Sequence, residues 1–392
     1  MENNIQAKIF SKQFFLENLL VLFFTYDFIV KIIVHITKIS AFYNYVIVFK
    51  VLIVIMAIYK FGLTYKRKVF ISSIVGLSIA YGITQITNLD VLGINDIQFN
   101  GYYFLSSVLP ILFVFYCNDY DKDIIEKQVN RFLWFMAFSA AFVFIGYLLD
   151  IGVFRSYFRG GRFGYSGFLL YHHEAGYIYF IVINLLYLKF KRKKTIVNLI
   201  LFLFIFISSF ILGTKKSLFF TIIFLIYFVI DNIKRRKELL IGLGAVVVLS
   251  LLFFNTLSQI FDKYYVLLGK IYREDGFWSS FLSYRNVLFN ERLYPYVTES
   301  PSFFNILFGW PLFNGHRSEL EVFDLFLFFG LTGLLGYFWF FKNILKRLNI
   351  MSYFLVFSLI FGALFSGNLL VSVNVMIMIV IALKYFNIKT TK

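Results

Sequence analysis

Three polar clusters interrupt an otherwise apolar chain, and their residue types suit anion binding and proton transfer. The first holds Arg155, Arg159 and Arg162 among Gly160, Gly161, Gly164 and Gly167, and runs on to His172, His173 and Glu174. Glycines let the backbone turn tightly and approach a ligand, and arginine forks match phosphate or carboxylate oxygens. The second is the short turn Gly213-Thr-Lys-Lys-Ser217, where Lys215 and Lys216 call for an anionic partner. The third ends a long polar interruption over 257–320, which holds three of the four prolines and two of the four tryptophans. It reads Gly315-His-Arg-Ser-Glu-Leu-Glu-Val-Phe-Asp324. Ser318 and Glu321 have capping-box spacing, and acids favour a helix N-terminus. Asp324 lies a turn deeper, on the same helical face as Glu321, where the two carboxylates would hold an arginine or take a proton. The plainer reading of the loop arginines and lysines is contact with lipid headgroups.

The elements that must position these clusters are membrane helices. The chain is 60% hydrophobic, 22% aromatic and 15% charged, with a mean hydropathy of +0.78, far from the usage of soluble domains. Apolar runs of roughly 17 to 25 residues are needed to span a bilayer. Twelve such runs lie near 14–34, 41–60, 69–87, 101–118, 132–150, 174–190, 196–213, 218–233, 239–256, 321–341, 352–367 and 371–386. They are continuous rather than alternating, which predicts an all-α polytopic membrane protein rather than a barrel. The chain reads as one membrane domain over 1–392, with 257–320 as a large extracytoplasmic loop between the ninth and tenth spans.

The net charge of +17 is explained by topology. With both termini in the cytoplasm, most Lys and Arg residues fall on the inner side, including Lys66-Arg-Lys68, Lys191-Arg-Lys-Lys194 and Lys234-Arg-Arg-Lys237. Basic clusters of this kind orient spans, so no nucleic-acid partner is expected. The three polar clusters then face outward. A single cysteine, Cys117, excludes a disulfide framework, so the large loop must be held by apolar anchors. Phe277, Trp278, Phe281 and Leu282 suit a short helix on the bilayer rim. No cleavable leader is read, because the first span carries Glu17 and Asp27 and no small-residue cleavage site precedes it.

Several motifs fail on context. Gly164-Tyr-Ser-Gly167 has the shape of an intramembrane serine protease motif but lies in a Gly/Arg loop. His173-Glu174 begins a zinc-protease pattern, yet Tyr177 occupies the second histidine position. Asp119-Tyr-Asp121-Lys-Asp123 is too short a loop to carry a sugar-nucleotide site. No metal or other cofactor is expected.

In their order and sidedness, the clusters resemble the O-antigen polymerase and O-antigen ligase superfamily, in its repeat-unit polymerase branch. The matching pieces are Arg159-Gly-Gly-Arg162 before a span, Gly213-Thr-Lys-Lys, Arg285 in Ser283-Tyr-Arg285, Phe308-Gly-Trp310, the acidic stretch Glu319 to Asp324 before a Gly-Leu-x-Gly helix, and Ser366-Gly-Asn368. The chain departs from the pattern in having Lys215 where arginine is usual and Asn368 where histidine is common.

The resemblance implies an enzyme of a bacterial cytoplasmic membrane that joins lipid-linked repeat units at the outer face. Its substrate would be an oligosaccharide on undecaprenyl pyrophosphate, and its product O-antigen, capsular or exopolysaccharide. It would be a metal-independent membrane glycosyltransferase of the GT-C-like kind, with a chain-length regulator as an expected partner. A pyrophosphate leaving group needs no general acid, so the site needs cations around the phosphates and one base for the attacking hydroxyl. Arg159, Arg162, Lys215, Lys216 and Arg285 are the candidates for pyrophosphate. The base is His316 or one of Glu319, Glu321 and Asp324. Trp278, Tyr284 and Trp310 are candidates for stacking on sugar faces. The 257–320 loop is expected to act as a lid on a shared outer cavity. A ligase of the same superfamily and a flippase for the same lipid are the competing readings; a flippase would carry charge across many spans and repeated halves, and neither is read here.

Overall fold

Helix dominates the chain because each apolar run must satisfy its backbone groups internally. A computed structural model describes residues 12–39, 41–61, 68–117, 122–157, 163–232, 270–280, 282–299, 302–311, 313–345 and 350–388. In chain order the main helices are α1 Lys12–Thr37, α2 Phe42–Phe61, α3 Lys68–Thr87, α4 Ile94–Cys117, α5 Lys122–Leu149, α6 His172–Arg192, α7 Ile196–Ile211 and α8 Lys215–Asn232. Next come α9 over 270–280, α10 Phe303–Phe308, α11 Glu321–Leu345, α12 Ile350–Ser366 and α13 Val373–Ile388. Short helical turns fill Arg285–Leu288, Phe289–Leu293, Tyr294–Glu299 and Phe313–His316, the second being π-helical. Among the described residues no strand forms, and Arg155 and Tyr165 make an isolated antiparallel bridge.

Every expected span within the described residues falls on a helix; the one at 239–256 lies outside them. Three helical stretches, Glu17–Thr37, Lys122–Leu149 and Glu321–Lys342, are long and apolar enough to cross a membrane, and others are shorter apolar helices. Helices α4 and α5 start well before their expected spans. Their first turns carry polar residues such as Asp96 and Asp123, which hydropathy excludes but helix geometry accepts.

The chain forms two compact units. One comprises Met1–Ser139, Phe168–Leu170 and Val287–Lys392; the other comprises Ala140–Gly167 and Tyr171–Asn286. In the first unit α11 packs along α3, α4 contacts α2, α3 and α13, and α12 bridges α11 and α13. A buried triad joins α1, α2 and α13. Lys50 Nζ lies 2.8 Å from each oxygen of Asp27, and Asn374 accepts from Lys50 at 2.8 Å while donating to Asp27 at 2.6 Å.

Helix α11 is broken at Gly330, whose φ of 62° suits glycine. A Cβ there would sit 2.4 Å from the Leu307 carbonyl carbon, and one at Gly309 would sit 2.2 Å from the Phe328 oxygen. The backbones of α10 and α11 therefore touch at the break. Trp310 donates its N–H to Leu327 O at 2.8 Å, and Thr332 Oγ1 donates to Leu307 O at 2.7 Å. Gly336, further along the helix, makes no such close approach, with Leu77 and Ser73 at 3.9 Å from a Cβ placed there.

In the second unit α6, α7 and α8 pack mutually, with α6 buried from Glu174 to Tyr187. The turn at Gly213 (φ 68°) is clamped to Gly164. A Cβ on Gly213 would meet Phe163 O at 2.1 Å, and one on Gly164 would meet Leu212 O at 2.4 Å.

Candidate functional site

In the second unit, the pieces around the Gly213 turn meet through backbone contacts. Tyr165 N–H donates to Ile211 O at 2.9 Å, and Ser156 Oγ donates to Leu212 O at 2.8 Å. Thus both described flanks of the Arg/Gly loop are fastened to the start of the Lys215-Lys216 turn. Arg159 and Arg162 lie outside the described residues. Arg155 forms a bidentate pair with Asp150, at 2.7 and 2.6 Å from its Nη2, and Tyr165 donates to the same carboxylate. That pair anchors the loop.

The two lysines of the turn have different surroundings. Lys216 is buried, with Nζ 3.8 Å from the centre of the Tyr177 ring and 3.0 Å from the His173 carbonyl. Its charge is held inside the fold, which suits bracing of α8 against α6 better than the pyrophosphate contact expected for it. Lys215 instead reaches the polar loop. Its ammonium donates to the Ser280 carbonyl and, at 3.2 Å, to Ser283 Oγ.

Ser283 and Tyr284 both adopt positive φ, 54° and 67°, to make the turn that joins α9 to Arg285. Such backbone is costly for non-glycine residues and clusters at functional sites. Tyr284 is tied to Asp275 at 2.6 Å and Asn286 to Ser279 at 2.9 Å, so the turn is held from both sides. Burial lowers the Lys215 pKa to about 8, and the positive charge of Arg285 adds to the fall. Two cations that repel one another across a half-buried turn gain from a shared anion.

A pH dependence follows with a definite sign. Lys215 is charged below about pH 8 and loses its charge above it. Inorganic pyrophosphate is therefore expected to bind the purified protein more weakly as pH rises through 8, a step that Lys215→Arg removes. Calorimetric titration across pH 7 to 9 checks this; equal steps in both proteins would take Lys215 out of the site.

The first unit contains the acidic cluster. Asp324 is 2% exposed, and its Oδ1 accepts from Ser318 N–H at 2.8 Å and Ser318 Oγ at 2.9 Å. Its Oδ2 lies 3.4 Å from Arg317 Nε. Glu321 turns elsewhere: its oxygens accept the N–H groups of Leu369 at 2.7 Å, Leu370 at 2.8 Å and Val371 at 3.3 Å. The capping assignment is thus reversed. Asp324, not Glu321, reaches back to Ser318, and Glu321 binds a turn far along the chain. With its oxygens on backbone donors, Glu321 is suited to holding that turn rather than to taking a substrate proton.

Arg317, which the sequence reading did not place in the site, is the centre of this cluster. It donates to Asn368 Oδ1 at 3.2 Å and lies 5.5 Å from the Tyr103 ring centre and 6.0 Å from that of Phe99. Its side chain is 24% exposed beside the buried Asp324 carboxylate. Gly367, with φ 57°, lets the Asn368 turn lie on the Glu319 carbonyl, which a Cβ would meet at 2.2 Å. Glu319 itself is exposed at φ 58°.

His316 stacks on Tyr296, with ring centres 3.8 Å apart and planes 8° apart, and its Nδ1 lies 3.2 Å from the Arg292 carbonyl. A carbonyl only accepts, so in the neutral ring the proton sits on Nδ1 and the lone pair on Nε2. That tautomer suits a base. Trp310 is 1% exposed and packs on Phe326 at 5.6 Å, so it belongs to the core and not to a sugar-stacking surface. Trp278 and Phe277 are exposed on α9, and Phe281, another of the expected anchors, lies outside the described residues.

No family model, curated protein or solved structure matches the chain.

Proposed function

We infer that the protein polymerises oligosaccharide repeat units carried on undecaprenyl pyrophosphate, at the outer face of a bacterial cytoplasmic membrane. The reading takes the chain as a twelve-span enzyme with cytoplasmic termini. The observation that carries it is the pairing of Lys215 with Arg285 on the strained Ser283-Tyr284 turn, with the Arg/Gly loop fastened to the same Gly213 turn. Two segments distant in sequence bring the cations Lys215 and Arg285 together, and the described flanks of the Arg/Gly loop meet the first of them. Such an arrangement, preorganised before the substrate arrives, stabilises charge developing on a departing pyrophosphate.

In this reading the attacking sugar hydroxyl forms the new glycosidic bond as the bond to the pyrophosphate breaks. The hydroxyl proton passes to a base, and the electron pair leaves with the phosphate. His316 is the first candidate for the base, through Nε2. Asp324 is the second, although its neighbours make it a holder of Arg317.

Loss of the gene tests the function through the surface polysaccharide on a gel. Single repeat units capping the lipid acceptor are expected. Free polymer that is never attached would mark a ligase instead, and material trapped on the inner face a flippase.

His316→Ala is expected to leave a folded protein with polymer formation lowered about 100-fold, within the usual range for a general base. Activity near wild type at equal protein level would transfer the role to a carboxylate.

A further inference from the structure

Beside α11 runs an apolar cavity of about 530 Å³, inside the roughly 300 to 1000 Å³ range of ligand pockets. Leu325, Phe338, Phe341, Ile360 and Leu364 are among its walls, all from the first unit. Its charged lining residues are Glu321 and Lys342, which bound the Glu321–Lys342 stretch of α11. That stretch is long and apolar enough to cross a membrane and carries the break at Gly330. Phe338, Leu364 and Val322 are 67%, 45% and 44% exposed, so the cavity opens sideways along its length. An apolar cavity open to one side, a slot with its two charged lining residues at the ends of the Glu321–Lys342 stretch, fits a hydrocarbon chain.

One end of the slot is built by the site residues. Leu369 and Leu370 line it, and their N–H groups are held by Glu321. Asn368, the next residue back, accepts from Arg317, which also pairs with Asp324 in the first turn of α11. An apolar chain in the slot thus ends at a turn whose preceding residue, Asn368, accepts from the partly exposed Arg317 side chain. A phospholipid would place two chains at such a headgroup, whereas a polyprenyl pyrophosphate places one.

We propose that this slot seats the polyprenyl chain of a lipid-linked substrate, with Arg317 at its polar end. The inference rests on the polymerase reading for the identity of the lipid. It makes Arg317 a binding residue and assigns a lipid site to α11 and α12.

Native mass spectrometry of the full-length protein in detergent, titrated with undecaprenyl pyrophosphate, tests it. Wild type is expected to retain one lipid, and Leu364→Trp, which fills the slot from its exposed side, to weaken binding at least tenfold. Ala363→Trp gives a second filling from a buried wall, and Phe357→Trp, outside the lining, is expected to bind as wild type. Equal retention by both filled variants, or full displacement by the same concentration of phosphatidylglycerol, would overturn the proposal. Polymer formation is measured in parallel. Normal polymer with unimpaired binding in Leu364→Trp would sink the slot and leave the polymerase reading standing. Specific, slot-dependent binding in a wild-type protein that makes no polymer would sink that reading and leave the slot.

Discussion

Arg285→Lys is expected to lower polymer formation about 10- to 100-fold at equal protein level. The substitution keeps the charge beside Lys215 but replaces a planar fork by a point charge. Losing one charge-assisted hydrogen bond costs roughly 1.5 to 3 kcal/mol, and about 1.4 kcal/mol is tenfold in rate. The position is sensitive because Arg285 follows two residues at positive φ, Ser283 and Tyr284, so the backbone has little freedom to bring the charge of a shorter side chain to the same point. Polymer length distribution on a gel, with protein level checked by blot, reads the effect. Wild-type length would remove Arg285 from the anion site.

The second large effect concerns stability. Lys50→Met is expected to destabilise the protein by about 3 to 5 kcal/mol, the usual cost of stripping one partner from a buried ion pair. Asp27 is 1% exposed and, among the described residues, would keep Asn374 as a neutral partner. The double variant Asp27→Asn/Lys50→Met removes both charges and is expected to recover most of the loss. Thermal unfolding of the purified protein in detergent compares the three. Equal midpoints for wild type and Lys50→Met would mean that the triad contributes little to joining α1, α2 and α13.

The helices were legible because hydropathy alone marks long apolar runs, and the described helices cover each expected position except 239–256, which lies outside the described residues. Their starts were less so, since a helix continues through polar turns such as Asn100 in α4. The site was legible in part. Lys215 and Arg285 were both singled out, yet the reason they meet, a turn at Ser283 and Tyr284 that reaches a lysine in another helix, leaves no local trace.

Arg317 was passed over because in sequence it is one of several basic residues in a polar loop. Its importance comes from Asp324, Asn368 and the Tyr103 ring, which tertiary structure alone brings together. Glu321 illustrates the opposite error. Its spacing from Ser318 fits a capping box, but the strongest donors available to it are three adjacent N–H groups near residue 370. Local pattern reports what a side chain can do, and long-range contacts decide which option is taken.

The polymerase reading is tested most directly by incubating the purified protein, in lipid nanodiscs, with undecaprenyl-pyrophosphate-linked repeat units and resolving the products by size. The account predicts a ladder of saccharides still carried on lipid pyrophosphate, formed without added metal and weakened by Arg285→Lys. Repeat units that remain single with active substrate present, or a ladder indifferent to Arg285, would contradict it.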